Sequence, residues 1–325
     1  MQLNNSMKLL IAFLVIFSGT VLAWEPTKPV TVIIGNAPGG GNEIAFRKLA
    51  SIVAKTNKDL TFIVRNMPGA DGVVSMNAFV TSPADGYTIS IPAHMNTFVT
   101  NDIWEKDIKK FEQSSFIPVL TIGKSPLVLV ANIKSKVNTP TEFIKLLVST
   151  TKPINLAGGG GAHRMTFEYI MFKGNGNKDL ASFVKFQGPA QAMVGVANES
   201  GDIEFGIVPI TIAKPLIDAG KIKPIGFTGT KKMPQYPDVP LINATVPGTN
   251  VYGAWSLILP SDTPQEIVDW YLTTFVSAVQ SAEYKEWAEQ NLIFVEPKEL
   301  SVSGVRQQIE DLRATFLPLA KNMKP

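Results

Sequence analysis

The chain has 325 residues, 45% of them apolar, and a formal net charge of +3 at pH 7. This length and composition give no indication of disorder, and they predict a buried core divided between two domains. The sequence has no cysteine, which excludes disulfides, thiolate nucleophiles and cysteine-based metal sites. The nearly balanced charge gives no electrostatic reason to expect nucleic acid or a membrane surface as a partner.

Residues 1–23 have the pattern of a secretory signal peptide. Lys8 carries a positive charge, an unbroken apolar run follows from Leu9 to Phe17, and the segment ends in Val21-Leu22-Ala23. The apolar run is too short to span a bilayer. We therefore expect cleavage after Ala23 and an exported, soluble mature protein, with an uncleaved anchor as the alternative.

The first predicted strand of the mature chain leads into a glycine loop. Residues 31–34 are short and β-branched, residues 36–41 include three consecutive glycines, and apolar residues recur at helical spacing from Glu43 onward. Asn42 is the predicted N-cap of that helix. Free N–H groups at a helix start carry partial positive charge, and glycine lets an anion approach closely. The segment therefore predicts a site for a carboxylate or a phosphate.

The N-terminal part of the mature chain, which we call the first lobe, continues as alternating strands and helices. Strands are predicted at residues 30–34, 60–64 and 88–91, with helices from residue 43 and at 73–80. This order predicts a parallel sheet with right-handed crossovers, in which ligands bind beyond the carboxyl ends of the strands.

A second strand, glycine run and helix start follow in the second lobe. Two apolar runs within residues 116–131 flank Gly123-Lys124-Ser125-Pro126, and we interpret this stretch as the crossing into that lobe. Residues 154–157 then predict a strand, which the glycines at 158–161 connect to a helix at 164–172. Further strands are predicted at residues 183–186, 202–208 and 222–227.

The chain is predicted to return to the first lobe after a loop at residues 228–248. A strand at 252–259, a long amphipathic helix at 264–282 and two more helices complete it. The expected fold class is α/β, with two lobes joined by a hinge of two crossings. The expected division is residues 24–122 for the first part of lobe one, 123–228 for lobe two, and 229–325 for the return to lobe one.

The order of three motifs carries a family resemblance. KPVTVIIGNAPGGGNE, VRNMPGADG and SPADGYTI, in this order, resemble the extracytoplasmic solute receptors of tripartite tricarboxylate transporters, the Bug or TctC-like family. Later passages such as SFIPVLTIGKSPLVLVAN, VKFQGPAQAM and WSLILPSDTP extend the resemblance over essentially the whole mature chain.

The resemblance implies a fold like that of type II periplasmic binding proteins and a binding function without catalysis or cofactors. It further implies a monomer in the periplasm that grips a small organic anion between its lobes and passes it to inner-membrane transporter subunits. In this family backbone amides of two glycine loops hold the carboxylate. Carried over position by position, this implies a ligand site made of Ala37, Pro38, Gly39, Gly40, Gly41, Gly158, Gly159, Gly160, Gly161, His163, Phe186, Gln187 and Gly206.

Two departures from the family pattern bear on the ligand. Where the family commonly has Ser or Thr in the second glycine loop, this chain has Gly and Ala followed by His163, whose ring nitrogen is a candidate replacement. The family commonly carries an Asp shortly after the strand that matches residues 202–204. At that place this chain has Phe205-Gly206-Ile207-Val208-Pro209. The missing Asp favours a ligand without an ammonium group.

Several single residues have two possible roles. His94 and His163 are the only histidines, which argues against a metal site, and His94 is expected to be structural. Glu43 is expected to be a solvated acid in the first helical turn. Arg65 is either a ligand clamp or a surface ion-pair partner, and Trp255 either lines the cleft or fills the core.

Two other function classes remain open at this point. A nucleotide-dependent exported α/β enzyme is disfavoured because the spacing G-x-G-x-x-G is not met and no G-x-S-x-G motif is present. A ligand co-receptor for a membrane sensor kinase has the same binding chemistry and differs only in its partner.

Overall fold

A computed structural model describes residues 24–198 and 200–322 of the chain. The predicted signal peptide and its cleavage after Ala23 lie outside the described residues. Within these ranges no helix combines the length and the apolar character that a membrane crossing requires.

The order of strands and helices is close to the predicted one. The strands are β1 (Val30–Ile34), β2 (Phe62–Asn66), β3 (Thr88–Ser90), β4 (Phe116–Asn132), β5 (Ile154–Gly158), β6 (Ala181–Lys185), β7 (Phe205–Pro209), β8 (Ile222–Phe227) and β9 (Tyr252–Pro260). The helices are α1 (Gly41–Thr56), α2 (Val73–Phe79), α3 (Asn101–Trp104), α4 (Pro140–Ser149), α5 (Gly161–Lys173), α6 (Pro189–Ala197), α7 (Ile210–Asp218), α8 (Ile242–Thr245), α9 (Gln265–Gln280), α10 (Ala282–Gln290) and α11 (Val302–Phe316). A π-helical turn, Asn96–Thr100, precedes α3.

The strands form two sheet halves that share β4. In the first half β1 pairs in parallel with β2 and β3, and β9 pairs antiparallel with residues 116–126 of β4. In the second half residues 127–131 of β4 pair with β7, residues 128–132 pair with β8, and β5 pairs in parallel with β6 and β7. We call the parts built on these halves lobe one and lobe two. The predicted mixed α/β fold is confirmed.

The crossing through β4 is one strand and not two runs around a turn. This strand has 17 residues, and it changes partners between Pro126 and Leu127. Register shifts at Pro118/Leu120 and Thr121/Gly123 let it absorb prolines and a glycine, as β-bulges do. The motif Gly-Lys-Ser-Pro therefore lies inside a paired strand, where backbone hydrogen bonds override its turn propensity.

Each lobe has its own apolar core. In lobe one Val32, Leu49 and Phe275 have no exposed surface, and in lobe two the same holds for Leu129 and Phe143. Full burial of a side chain of this size contributes about 1.5–3 kcal/mol to folding. Two separate cores give each lobe stability of its own.

Helix α11 packs on both lobes. Val305 and Ile309 belong to a cluster with β1 and α2 of lobe one, whereas Phe316 packs in the core of lobe two against Tyr169. The C-terminal helix is therefore a further connection between the lobes, beyond β4 and the segment that leads from β8 to β9.

Candidate functional site

The first glycine loop, residues 36–41, follows β1 and leads into α1. The helix begins at Gly41, and its N-cap is Gly40, which has an extended backbone (φ −71°, ψ 152°) and no side-chain cap. The prediction of Asn42 as the N-cap is wrong, because the Asn42 amide already lies inside the helix and donates to the Ile91 carbonyl at 2.8 Å. Asn42 thereby fixes the start of α1 to the end of β3.

Glu43 is a buried acid at this helix start, and the prediction of a solvated side chain is wrong. Its carboxylate accepts the Gly39 N–H at 3.2 Å and the Asn66 side-chain amide at 3.0 Å, and it pairs with Arg47 at 2.7 Å. The helix dipole and these donors offset the cost of burying the charge. The Gly39 N–H of the predicted anion site is therefore already hydrogen-bonded within the protein. Arg65, the other candidate near this loop, is exposed on β2.

Trp255 lies directly behind the same loop. It is 3% exposed and packs in the core of lobe one. A Cβ atom added to Gly41 would lie 2.4 Å from its ring, so glycine is required there for the helix start to rest on the indole. Of its two possible roles, Trp255 fills the core.

The second glycine loop connects β5 to α5, which begins at Gly161. His163 Nδ1 accepts the Gly159 N–H at 2.8 Å, and the Asn96 side-chain oxygen accepts the Ala162 N–H at 2.9 Å. Burial lowers the pKa of His163 to about 4, so the ring is neutral at pH 7. His163 therefore holds the shape of this loop through its ring nitrogen.

Acid is expected to destabilise the protein through His163. The unfolded chain has the ordinary pKa of 6.5 and the folded state a pKa of about 4, so the folded state binds fewer protons between these values. The contribution of His163 to the free energy of unfolding is fully present above pH 6.5. It falls by about 1.4 kcal/mol per pH unit as the pH drops from 6.5 toward 4. In urea unfolding at pH 7, 6 and 5, the free energy of unfolding of His163→Gln should fall less steeply than that of the wild type. Glutamine can also accept the Gly159 N–H, and it does not titrate.

The same slope in the variant and in the wild type would contradict this prediction. His94 remains in both proteins. Burial and, to a lesser extent, the Lys124 charge lower its pKa to about 3, and its Nε2 lies 2.6 Å from the Ser256 hydroxyl. Its predicted structural role is confirmed, and its contribution to the acid sensitivity cancels in the comparison.

The cleft lies between the two lobes, beside the second glycine loop. A cavity of about 400 Å³ is lined by Gly159, Phe186 and Gln187 from lobe two and by residues 68–71 from lobe one. On the lobe-one side Asn36 and Asn42 face Asp71 and Asn96 across a much smaller space. Asp71 lines both spaces and pairs with Lys185 of lobe two at 3.0 Å.

Of the predicted site residues, Gly159, Phe186 and Gln187 line this cavity, and Gly160 and Gly161 face Asp71 at its edge. Cβ atoms added to Gly41 and Gly158 would meet the rings of Trp255 and Phe183, so these two glycines pack within their own lobes. A Cβ atom added to Gly188 of lobe two would lie 3.5 Å from the Ala37 side chain of lobe one, while Pro38 and Gly39 are exposed at the tip of the first loop. Gly206 is not part of the cleft. It lies within β7, where an added Cβ would be 2.5 Å from the Met193 methyl group of α6.

Sequence reasoning missed three polar residues of the cleft: Asp71, Asn96 and Lys185. Asp71 has a left-handed backbone (φ 51°, ψ 33°) within a turn bounded by Gly69 and Gly72, both of which have positive φ. The available signal is an Asp in a short turn between two glycines, because Asp is one of the few residues that tolerate this conformation.

A comparison with protein families decides the classification. The model of the tripartite tricarboxylate transporter family receptor, TctC, matches residues 45–316. The chain belongs to this receptor family. The resemblance noted in the sequence is confirmed, and membership places the chain among substrate-binding receptors rather than enzymes.

Solved structures of similar proteins share the fold. The periplasmic binding protein BugD has a TM-score of 0.83 and 21% identity, over 92% of this chain and 98% of BugD. MatC (Rpa3494) from Rhodopseudomonas palustris, solved with malate, has a TM-score of 0.82 and 21% identity, over 91% of this chain and 100% of MatC. R. palustris Rpa4515, solved with adipate, has a TM-score of 0.84 and 23% identity, over 91% of this chain and 97% of its own. At these identities the comparison establishes the two-lobed fold of the TctC receptor.

Proposed function

We propose that this TctC-family receptor is a periplasmic solute-binding protein that captures a small organic acid in the cleft between its lobes. It then delivers the acid to the membrane subunits of a tripartite tricarboxylate-type transporter. The observation that carries the proposal is a cavity of about 400 Å³ between the lobes, lined by Gly159 of the second glycine loop and by residues 68–71 of lobe one. The first glycine loop lies close by, since a Cβ atom added to Gly188 of lobe two would be 3.5 Å from the Ala37 side chain. Similar proteins solved with malate and adipate support a carboxylate as the ligand class.

Backbone amides would provide most of the contacts to the ligand. The first N–H groups of a helix have no carbonyl of that helix to donate to, and they lie at the positive end of its dipole. Gly40 and Gly41 bring such groups to the first loop, and Gly160 and Gly161 bring them to the second. Closure of the lobes removes water from these groups and strengthens their attraction for a carboxylate.

The cavity wall suits the remainder of a small organic acid. Phe186 gives an apolar surface and Gln187 an amide. Recognition through main-chain amides selects the carboxylate, and the wall selects the rest of the molecule. No step of this function requires a reacting side chain.

Titration calorimetry of the mature protein is expected to detect at least one organic anion. The panel comprises mono-, di- and tricarboxylates, aromatic acids and keto acids, and matched amides of the same acids serve as uncharged controls. Acids should bind and their amides should not, because the loops recognise negative charge. Failure of every acid to bind a protein that unfolds cooperatively would refute the proposal.

The other two candidate functions have different readouts. A nucleotide-dependent enzyme predicts that NAD(P)H changes the tryptophan fluorescence, whereas a solute receptor predicts no change. A co-receptor for a sensor kinase predicts co-purification with that kinase rather than with transporter subunits. For export, the intact mass of the secreted protein should correspond to a chain that begins at Trp24.

A further inference from the structure

Asp71 of lobe one reaches the helix N-terminus of lobe two. Its carboxylate oxygens Oδ1 and Oδ2 lie 3.2 Å from the positions that Cβ atoms on Gly160 and Gly161, respectively, would take. The carboxylate thus faces the two glycines at the start of α5, where a ligand anion would otherwise approach. It is also paired with Lys185, at 3.0 Å, and only 7% of its side chain is exposed.

The backbone holds this carboxylate in place. Ala70 and Asp71 both have left-handed backbones, and they lie between Gly69 and Gly72. The Asp71 side chain is short, so a change of rotamer moves its carboxylate only a small distance. A ligand in the cleft therefore meets a negative charge at the second loop.

We propose that Asp71 takes the place of one ligand carboxylate and makes the receptor selective for solutes with a single carboxylate. The inference rests on the proposed function and specifies its ligand class. The single carboxylate of the solute binds at the first loop, and its uncharged end faces Phe186 and Gln187. A second carboxylate would face Asp71 and be repelled by it.

Lys185 does not remove this discrimination. Its ammonium group is paired with Asp71 and lines the same cavity. It pairs with Oδ2, whereas Oδ1 faces Gly160, and it disfavours a ligand with an ammonium group at that end. The chemical class that fits is therefore a monocarboxylate with an apolar or neutral polar end.

The test uses pairs of acids that differ only in the second carboxylate. Calorimetry compares butyrate with succinate, pentanoate with glutarate, and hexanoate with adipate, on the wild type, Asp71→Asn and Asp71→Gly. In at least one pair the wild type should bind the monocarboxylate at least 10-fold more tightly. Both variants should reduce this ratio at least 10-fold, since asparagine keeps the shape and tolerates the backbone while glycine removes the side chain.

Asp262→Asn is the matched control, because it removes an exposed carboxylate outside the cavity and should leave every ratio unchanged. A wild type that binds dicarboxylates as tightly as monocarboxylates would overturn the inference and leave the proposed function intact. If the ratio of monocarboxylate to dicarboxylate affinity is unchanged in the Asp71 variants, the inference is likewise overturned and the proposed function stays intact. If no acid of these pairs or of the wider panel binds, the proposed function fails, and the inference fails with it.

Discussion

Gly160→Val is expected to abolish binding of the organic acid while the protein stays folded. Gly160 has an extended backbone (φ 168°, ψ −177°) that any residue adopts, so valine causes no backbone strain. An added Cβ, however, would lie 2.8 Å from the Asn96 amide nitrogen and 3.2 Å from Asp71 Oδ1. Asn96 cannot move away freely, because its oxygen accepts the Ala162 N–H. Valine therefore separates the second loop from the groups that face it.

The expected loss of affinity is at least 100-fold, or about 2.7 kcal/mol, by calorimetry with the tightest acid from the panel. Unfolding should stay cooperative, at a melting temperature lowered by the crowding against Asn96. Gly40→Val should have the same effect at the first loop, since its Cβ would meet the Asn42 side-chain oxygen at 2.8 Å. Gly201→Val is the control, because no atom lies within 4 Å of its Cβ and its positive φ affects only stability. Retained affinity in both loop variants would show that the glycines serve only the backbone turns.

Lys124→Met is expected to cause a large loss of stability. Lys124 in β4 is buried and pairs with Glu299 at 2.7 Å and with Glu296 at 3.0 Å. The side chain of Glu299 is only 4% exposed. Removal of the ammonium group leaves this carboxylate buried without a cation, which costs about 3–5 kcal/mol.

Urea unfolding at pH 7 measures the effect. The double variant Lys124→Met/Glu299→Gln should recover most of the loss, because the neutral amide needs no counter-ion. Lys298→Met, which removes an exposed ammonium group paired with Glu296, should cost much less than Lys124→Met, because solvent screens that pair. A loss below about 1 kcal/mol for Lys124→Met, or a double variant less stable than the single one, would contradict the prediction.

Local chemistry made much of the fold predictable. Short β-branched runs and glycine interruptions are strong local signals, so β1, β8 and the starts of α1 and α5 lie within a few residues of the predicted positions. Thr139 followed by Pro140 is a further local signal for a helix start, and the Thr139 hydroxyl caps α4 by accepting the Glu142 N–H at 3.2 Å. These features depend on neighbours in the chain, which a sequence displays directly.

Contacts between the lobes were not predictable in this way. Asp71 and Lys185 are 114 positions apart, and no local sequence pattern predicts their ion pair. The prediction for Glu43 is wrong because its burial depends on Asn66, 23 residues away. Gly206 was expected at the cleft by analogy with a family position, whereas the strand around it packs under α6. Local propensity positions the loops, and tertiary packing determines which groups they face.

The continuity of β4 constrains how the receptor moves. Because one hydrogen-bonded strand belongs to both sheet halves, the halves can rotate against each other only by twisting or bending that strand. The strand therefore resists rotation between the halves, unlike a flexible linker. The amplitude of any rotation between the halves therefore depends on the stiffness of residues 116–132 as well as on the bound solute.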